Sequence, residues 1–363
     1  MREVDVAIIG GGPIGLELAA GLKHARVNYV QFEAGQIGST LLWWAPGTRF
    51  FSSPERIEIA GVPMSLVHQD KATREEYLAY LRGVARQFEL KLEAFTRVVG
   101  IEKRDRDGFE IATRTSAHGV GGLEEQSERV TTRAAKSWKA RRVVLAIGNM
   151  HRPRMLGVPG EDLPHVSHYL DEPHRYFGRR VLVVGGKNSA VEAALRLHRV
   201  GANVIMSYRG GEFDRKRIKY WLLPELEWLI GKNMIEFHPR TMIKAIHADR
   251  VELASVQGNG AGAAAMIDAE SVLLLTGYVQ DSSLFEQIGV ELVGEERAPA
   301  FDERTMETSV RGMYVAGTAA GGSQQRAKLF IENSHVHVRR IVRAIAKQDV
   351  PWPGDGDFGI LEQ

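Results

Sequence analysis

The 363-residue chain contains no cysteine. Disulfides, thiolate metal sites, iron–sulfur ligation and cysteine nucleophiles are therefore excluded together. It also lacks any large excess of charge: 47 Lys and Arg against 45 Asp and Glu leave a formal net charge of +2. No stretch interleaves aromatics with a long basic run, so nucleic acid is not an expected partner. Long apolar runs are missing as well. The opening MREVDVAIIGGG breaks at glycine, short of a signal peptide's apolar region or a membrane span, and reads as the first strand of a cytoplasmic protein with no membrane partner. The 12 histidines show no ligand spacing, and no metal is expected.

What is present is 44% apolar and 25% charged residues with 38 glycines, the profile of a globular α/β protein. The length suits two domains. One unit of strand, turn, helix and strand occurs twice. Residues 4–9 form an apolar run ending at glycine, 13–24 carry apolar residues at helical spacing, and 28–33 read as a second strand. The same order returns at 181–185, 189–200 and 203–209. Between the two lie an amphipathic helix at 73–89, a strand meander over 95–147 with a polar, glycine-rich loop within 115–137, and a proline- and glycine-rich boundary at 151–164. Strands continue to 271–277 and at 310–318. A helix is expected from about Gln325 to Ala346, with an irregular tail after Pro351.

In the first turn Gly10, Gly12 and Gly15 satisfy G-x-G-x-x-G between a strand and a helix. Gly10 allows the tight turn, Gly12 lets a pyrophosphate approach the backbone, and Gly15 permits close packing of helix on strand. The helix N-terminus offers free amides to phosphate. Glu33 closes the second strand, where a carboxylate accepts ribose hydroxyls and repels a 2′-phosphate, so the site suits FAD or NAD. The second turn reads Gly185-Gly186-Lys187-Asn188-Ser189-Ala190, with Lys187 in place of the middle glycine and Ala190 at the packing position. Gly15 to Glu33 is a step of 18 residues and Ala190 to Arg209 one of 19, which puts opposite charges at matching places. Arg209, followed by Arg215, Lys216 and Arg217, can receive a 2′-phosphate through charge-assisted hydrogen bonds. NADPH is the expected ligand there.

Two such units in one chain resemble the two-dinucleotide-binding flavoproteins of the thioredoxin-reductase and flavin-monooxygenase type. Several segments look like the YpdA family of bacillithiol-disulfide reductases: RFFSSPERIEIAGVP (49–63), HVSHYLDEPHRYFGRRVLVVGGKNSAVEAAL (165–195), YRGGEFDRKRIKYWLLPELEWL (208–229) and TMETSVRGMYVAG (305–317). The resemblance implies two nested Rossmann-like domains. An FAD domain, 1–160 and 278–350, would receive an inserted NADPH domain at 161–277, leaving 351–363 as a tail. It also implies FAD contacts at Gly10, Gly12, Pro13, Ile14, Gly15, Glu33, Ala146, Gly148, Gly317, Thr318 and Ala327, and NADPH contacts at Gly185, Lys187, Asn188, Ser189, Ala190, Arg209, Arg215 and Lys216. A homodimer or homotetramer is implied too. The thioredoxin-reductase and flavin-monooxygenase type pairs its late glycine with aspartate, where this chain has Thr318. A late helix beginning near Gln325 would point its N-terminus at the flavin ring. In that family the residue between the proline and the last glycine of the first turn is a cysteine proposed to engage the disulfide; here it is Ile14, which has no nucleophile to offer.

The expected activity is an FAD-dependent NADPH oxidoreductase passing electrons to a small disulfide, a quinone or a redox protein, without a redox cysteine. The alternatives are a flavin monooxygenase and a nucleotide-binding sensor without turnover. His335 and His337 fall on different faces of a helical stretch, and His165 and His168 suit a structural role between domains. Trp43 and Trp44 suit core or flavin-cover positions.

Overall fold

The computed structural model describes residues 2–104, 108–115, 136–256, 265–324 and 328–347. Most of the expected loop at 115–137, Ala327 and the tail after Pro351 lie outside them. The chain divides into two compact units: Met1–Trp43, Gly47–Arg152 and Tyr278–Gln363 form the first, Trp44–Pro46 and Pro153–Gly277 the second.

In the first unit, strand β1 (Arg2–Ile9) is central, with β2 (Tyr29–Phe32) parallel on one side and Lys136–Leu145 parallel on the other. Met313–Val315 also pairs in parallel with Lys136–Leu145. Gly108–Thr115 and Thr96–Arg104 extend the sheet as an antiparallel hairpin. Val6, Ala7 and Ile8 are all fully buried: β1 runs between two parallel neighbours with helix α1 (Pro13–His24) packed against it, and shows no polar alternation over these residues. The amphipathic helix spans Arg74–Gln87 and starts with a capping box, Thr73 with Glu76.

The second unit has a parallel sheet ordered Glu236–Pro239, Asn203–Tyr208, Arg180–Val184, Ser271–Leu274 and Val166–Ser167. One face carries the helices Asn188–Arg199 and Leu223–Gly231, whose Ala190, Val191, Ala194, Leu197 and Leu226 join Val181, Val183 and Met206 in one core. On the other face, Ile243, Ile246, Val251 and Leu253 of a three-stranded antiparallel sheet pack with Leu182, Val184 and Val272.

Two boundaries differ from the sequence reading. Residues 153–160 join the second unit rather than closing the first, because Ile246 N donates to Pro159 O at 2.9 Å and Arg154 N to Gly277 O at 2.9 Å. The last helix is His335–Ala346. Residues 328–334 are not helical, since Asn333 Nδ2 donates to Lys328 O at 2.7 Å, Asn333 Oδ1 accepts Phe330 N at 2.8 Å, and Ser334 Oγ donates to Phe330 O at 2.6 Å. Such short polar side chains offer the backbone an alternative to the helical ladder.

Candidate cofactor sites

The first turn separates glycines that the fold requires from one that it does not. Gly10 has φ of 117°, and a Cβ there would sit 2.3 Å from Ala146 O. A Cβ on Gly15 would sit 2.2 Å from Gly10 O, and one on Gly11 would sit 2.8 Å from the Glu33 Cβ. Gly12 is different: its φ is −77° and a Cβ would meet nothing within 4 Å. The protein's own packing gives no reason for glycine at this position. It lies at the N-cap of a 12-residue helix whose first position is Pro13 and whose cap lacks a side-chain hydrogen bond. Free amide donors and the positive end of the helix dipole there form a cradle for phosphate, which fits a dinucleotide.

Glu33 is 8% exposed. Its Oε2 accepts Gly11 N at 2.6 Å, and its Oε1 accepts Gly35 N at 2.8 Å and Ser39 Oγ at 3.0 Å. A carboxylate has about four acceptor positions, so three protein donors leave room for roughly one more. Glu33 thus shapes the turn in addition to any contact with a ligand.

Ile14 is 7% exposed and packs on the turn after Met313–Val315, where a Cβ on Gly317 would come within 3.3 Å of the Ile14 Cβ. Gly317 has φ of 71° and Gly148 of 77°. The Thr318 hydroxyl lies 3.8 Å from where a Gly148 Cβ would be. Ile14, Ala146, Gly148, Gly317 and Thr318 thus gather around one set of strand ends, with Gly10 against Ala146. Ala327 lies outside the described residues.

Two histidines of the last helix brace this region, a role the sequence did not reveal. His337 Nδ1 accepts the Gly317 N–H at 3.2 Å. Burial, then the charges of Arg340 and His335, push its pKa down to about 4. His335 Nδ1 pairs with Glu17 of α1 at 2.7 Å. Burial opposes its charge, but the hydrogen bond and charge of Glu17 and the carbonyl of Arg56 outweigh it and raise its pKa. As expected, the two rings face different elements.

The second turn repeats the backbone pattern. Gly185 has φ of 143°, with a hypothetical Cβ 2.6 Å from Leu275 O and 2.9 Å from the Ala190 Cβ. Gly186 lies under Tyr208, whose ring a Cβ would meet at 2.4 Å. The register corrects the charge comparison made by counting. Ile9 pairs with Phe32 and Val184 with Ser207, while Gly10 N donates to Phe32 O and Gly185 N to Ser207 O. Tyr208 therefore takes the place of Glu33, and Arg209 comes one residue later, which accounts for the longer sequence step. Tyr208 stacks on Phe213, and Phe213 on Phe237, with centroids 5.6 and 4.9 Å apart.

Lys187 caps the helix Asn188–Arg199. Its pKa is lowered by burial and then by Arg217, Arg209 and Arg154, so four cations share this corner. Arg154 was not singled out in the sequence; the bond from its N–H to Gly277 O carries it to the end of Ser271–Leu274. Arg209 is exposed and has no acidic partner among the described residues. Arg215 is paired with Glu227 at 2.8 Å and Arg217 with Asp214 at 3.0 Å, and Lys216 is exposed. Asn188 Oδ1 accepts Lys219 N at 2.8 Å, Ser189 is exposed, and Ala190 is buried. Trp44–Pro46 belongs to this unit, where Arg196 donates to Pro46 O. His168 is buried, 3.8 Å from Glu161, whose carboxylate accepts the N–H groups of Leu156 and Gly157, in keeping with a structural role.

Among the described residues no group of His, Asp and Glu could hold a metal, and no helix is long and apolar enough to cross a membrane. Two parallel-sheet units, each with a glycine turn opening a helix, define the class of two-dinucleotide-binding flavoprotein reductases. Residues 7–120 and 115–317 match the family model described as pyridine nucleotide-disulphide oxidoreductase. The chain belongs to that family and, within it, to the YpdA type. It is a pyridine-nucleotide-dependent oxidoreductase of thioredoxin-reductase-like fold. It is 35% identical over 349 residues to bacilliredoxin reductase Bdr of Bacillus subtilis, covering 96% of this chain and 99% of that one. The structure of bacillithiol disulfide reductase Bdr (YpdA) from Bacillus cereus matches with a TM-score of 0.85 at 33% identity, covering 95% and 99%. A ferredoxin–NADP reductase of Ignicoccus hospitalis is 25% identical, covering 86% of this chain and 89% of that one.

Proposed function

We propose that this enzyme takes a hydride from NADPH onto FAD and passes the electrons to a small disulfide, a quinone or a redox protein with no protein thiol in the path. The observation that carries the reading is the first turn, where Gly12 has no packing reason to be glycine and Ile14 sits as a packed aliphatic. When bound, flavin and nicotinamide supply the two-electron chemistry; the residues around them bind, orient and exclude water.

In this reading Gly10, Gly12, Pro13, Ile14, Gly15, Glu33, Ala146, Gly148, Gly317 and Thr318 hold FAD. The pyrophosphate lies at the amino end of α1, and Glu33 uses its remaining acceptor position for a ribose hydroxyl. Ile14 and Gly317 form an apolar contact that keeps water away from one edge of the site. Gly185, Lys187, Asn188, Ser189, Ala190, Arg209, Arg215 and Lys216 hold NADPH. Arg209, which has no carboxylate partner among the described residues, receives the 2′-phosphate, and Lys187 offers a cation where the first turn offers only backbone. Arg215, already paired with Glu227, contributes less.

The likeness to enzymes named for bacilliredoxin, bacillithiol disulfide and ferredoxin supports a reductase and defines the acceptors to test. Without cysteine a mixed disulfide cannot form on the protein, so a disulfide acceptor must take its electrons directly from the reduced cofactor. The test is steady-state NADPH oxidation by the FAD-loaded enzyme with a low-molecular-weight disulfide, a quinone or a ferredoxin. Turnover with one of them, and much slower turnover with NADH, is expected. A flavin that none of them reoxidises would contradict the proposal.

A further inference from the structure

We propose that Gln280 is a flavin-site residue, whose side-chain amide group fastens two turns of the first unit together while its side-chain carbonyl oxygen accepts a hydrogen bond from a donor on the bound flavin. This rests on the reading of the first unit as the FAD site.

Gln280 is 7% exposed. Its Nε2 donates to Gly148 O at 3.1 Å and to Ala319 O at 3.0 Å, and its main-chain N–H donates to Ser323 Oγ at 2.9 Å. The two carbonyls settle the orientation of the amide, because the flipped form would turn its oxygen against two other oxygens. Oε1 is then a buried acceptor with no partner among the described residues. A buried acceptor without a hydrogen bond is unfavourable, and native folds seldom retain one without a reason.

The location supplies a reason. Gly148 and Ala319 lie in the turns that follow two paired parallel strands, Lys136–Leu145 and Met313–Val315, whose register ends at Leu145 opposite Val315. Ligands of such sheets bind in the crevice outside the carboxyl ends of the strands. The Thr318 hydroxyl, near Gly148, makes no hydrogen bond among the described residues. A bare carbonyl oxygen and an unengaged hydroxyl thus belong to the same pair of turns. Gln31 provides a contrast: its Nε2 donates to Gly10 O at 2.8 Å and its Oε1 also lacks a partner, but it lies within β2 against Gly15 and not in the turns beyond those strand ends.

Flavin donors of the right chemistry are the ring N–H and the ribityl hydroxyls. The experiment measures binding of FAD, of FAD methylated at N3, and of FAD analogues each lacking one ribityl hydroxyl, using apoprotein of the wild type and of Gln280→Met. In the wild type, the analogue lacking the relevant donor should bind about 2- to 10-fold more weakly than FAD. In Gln280→Met that difference should vanish. Loss with the N3-methyl compound names the ring, and loss with a deoxy compound names the ribityl chain. If every analogue loses as much in the variant as in the wild type, Gln280 is a clamp alone and the proposal fails. The wild-type comparison stands even if Gln280→Met does not fold: equal binding of all analogues overturns the proposal by itself. A wild type that binds no flavin would instead remove the underlying site reading.

Discussion

The turns at Gly10–Gly15 and Gly185–Ala190 share a backbone and differ where the backbone leaves freedom. In both, the first glycine takes a positive φ and would collide through a Cβ with a carbonyl after a neighbouring strand, Ala146 O at 2.3 Å or Leu275 O at 2.6 Å. In both, the second glycine lies under a side chain, Glu33 or Tyr208. The position that packing leaves open holds Gly12 in one and Lys187 in the other. Packing therefore explains why the turns look alike, and under the proposed function the ligand explains why they differ: one offers bare amides and a carboxylate, the other a cluster of cations beside an aromatic ring.

The largest effects should separate those two kinds of glycine. Gly10→Ala forces a positive φ and a carbonyl clash, and should destabilise the fold by about 3 kcal/mol or more. Gly12→Val should leave the melting temperature of the apoprotein within a degree or two while abolishing FAD retention. Similar melting temperatures for the two variants, read by calorimetry, would undo the distinction.

The first turn region is buttressed by His337, and pH gives a measure of that. Its folded pKa of about 4 lies below the unfolded value of 6.5, so the unfolded chain binds the extra proton between these values. The stability it contributes is present above pH 6.5 and is lost as pH falls toward 4, by about 3 kcal/mol in all. His337→Gln, which keeps an acceptor for Gly317 N–H without titrating, should flatten that acid limb in denaturant melts. An unchanged limb would assign it to other groups.

In the second unit, Arg209→Ala should raise KM for NADPH roughly 10- to 100-fold, as expected for one charge-assisted contact, and leave KM for NADH nearly unchanged. Arg215→Ala should change the NADPH value only a few-fold, since Glu227 already holds that guanidinium. Equal effects of Arg209→Ala on both nucleotides would remove the 2′-phosphate role.

The smallest effect belongs to His335. Its pKa is raised, so its contribution is present below pH 6.5 and fades as pH rises through the folded value. His335→Gln should remove a shallow alkaline slope in melting temperature, opposite in sign to that of His337. A slope that persists would dissociate it from the Glu17 pair.

Most local features could be read from the residues. The apolar run at 4–9, the glycine turn and the helical spacing after Pro13 are dictated within one stretch of chain, and the structure has strand, turn and α1 there. Features set by distant partners could not be read. Counting residues paired Glu33 with Arg209, whereas the strand register pairs it with Tyr208. The Asn333 and Ser334 side chains, which turn 328–334 away from helix, look like ordinary polar positions in a periodic pattern. Arg154, Gln280 and His337 act through bonds to Gly277, Gly148 and Gly317, and nothing local announces such contacts.

An electron path through FAD with no thiol in it can be read out by anaerobic titration of the FAD-loaded enzyme with NADPH. The oxidised flavin band should bleach fully at about one NADPH per FAD, because the chain holds no disulfide to take a second pair of electrons. A flavin that stays oxidised in excess NADPH, or one that needs two equivalents, would contradict it.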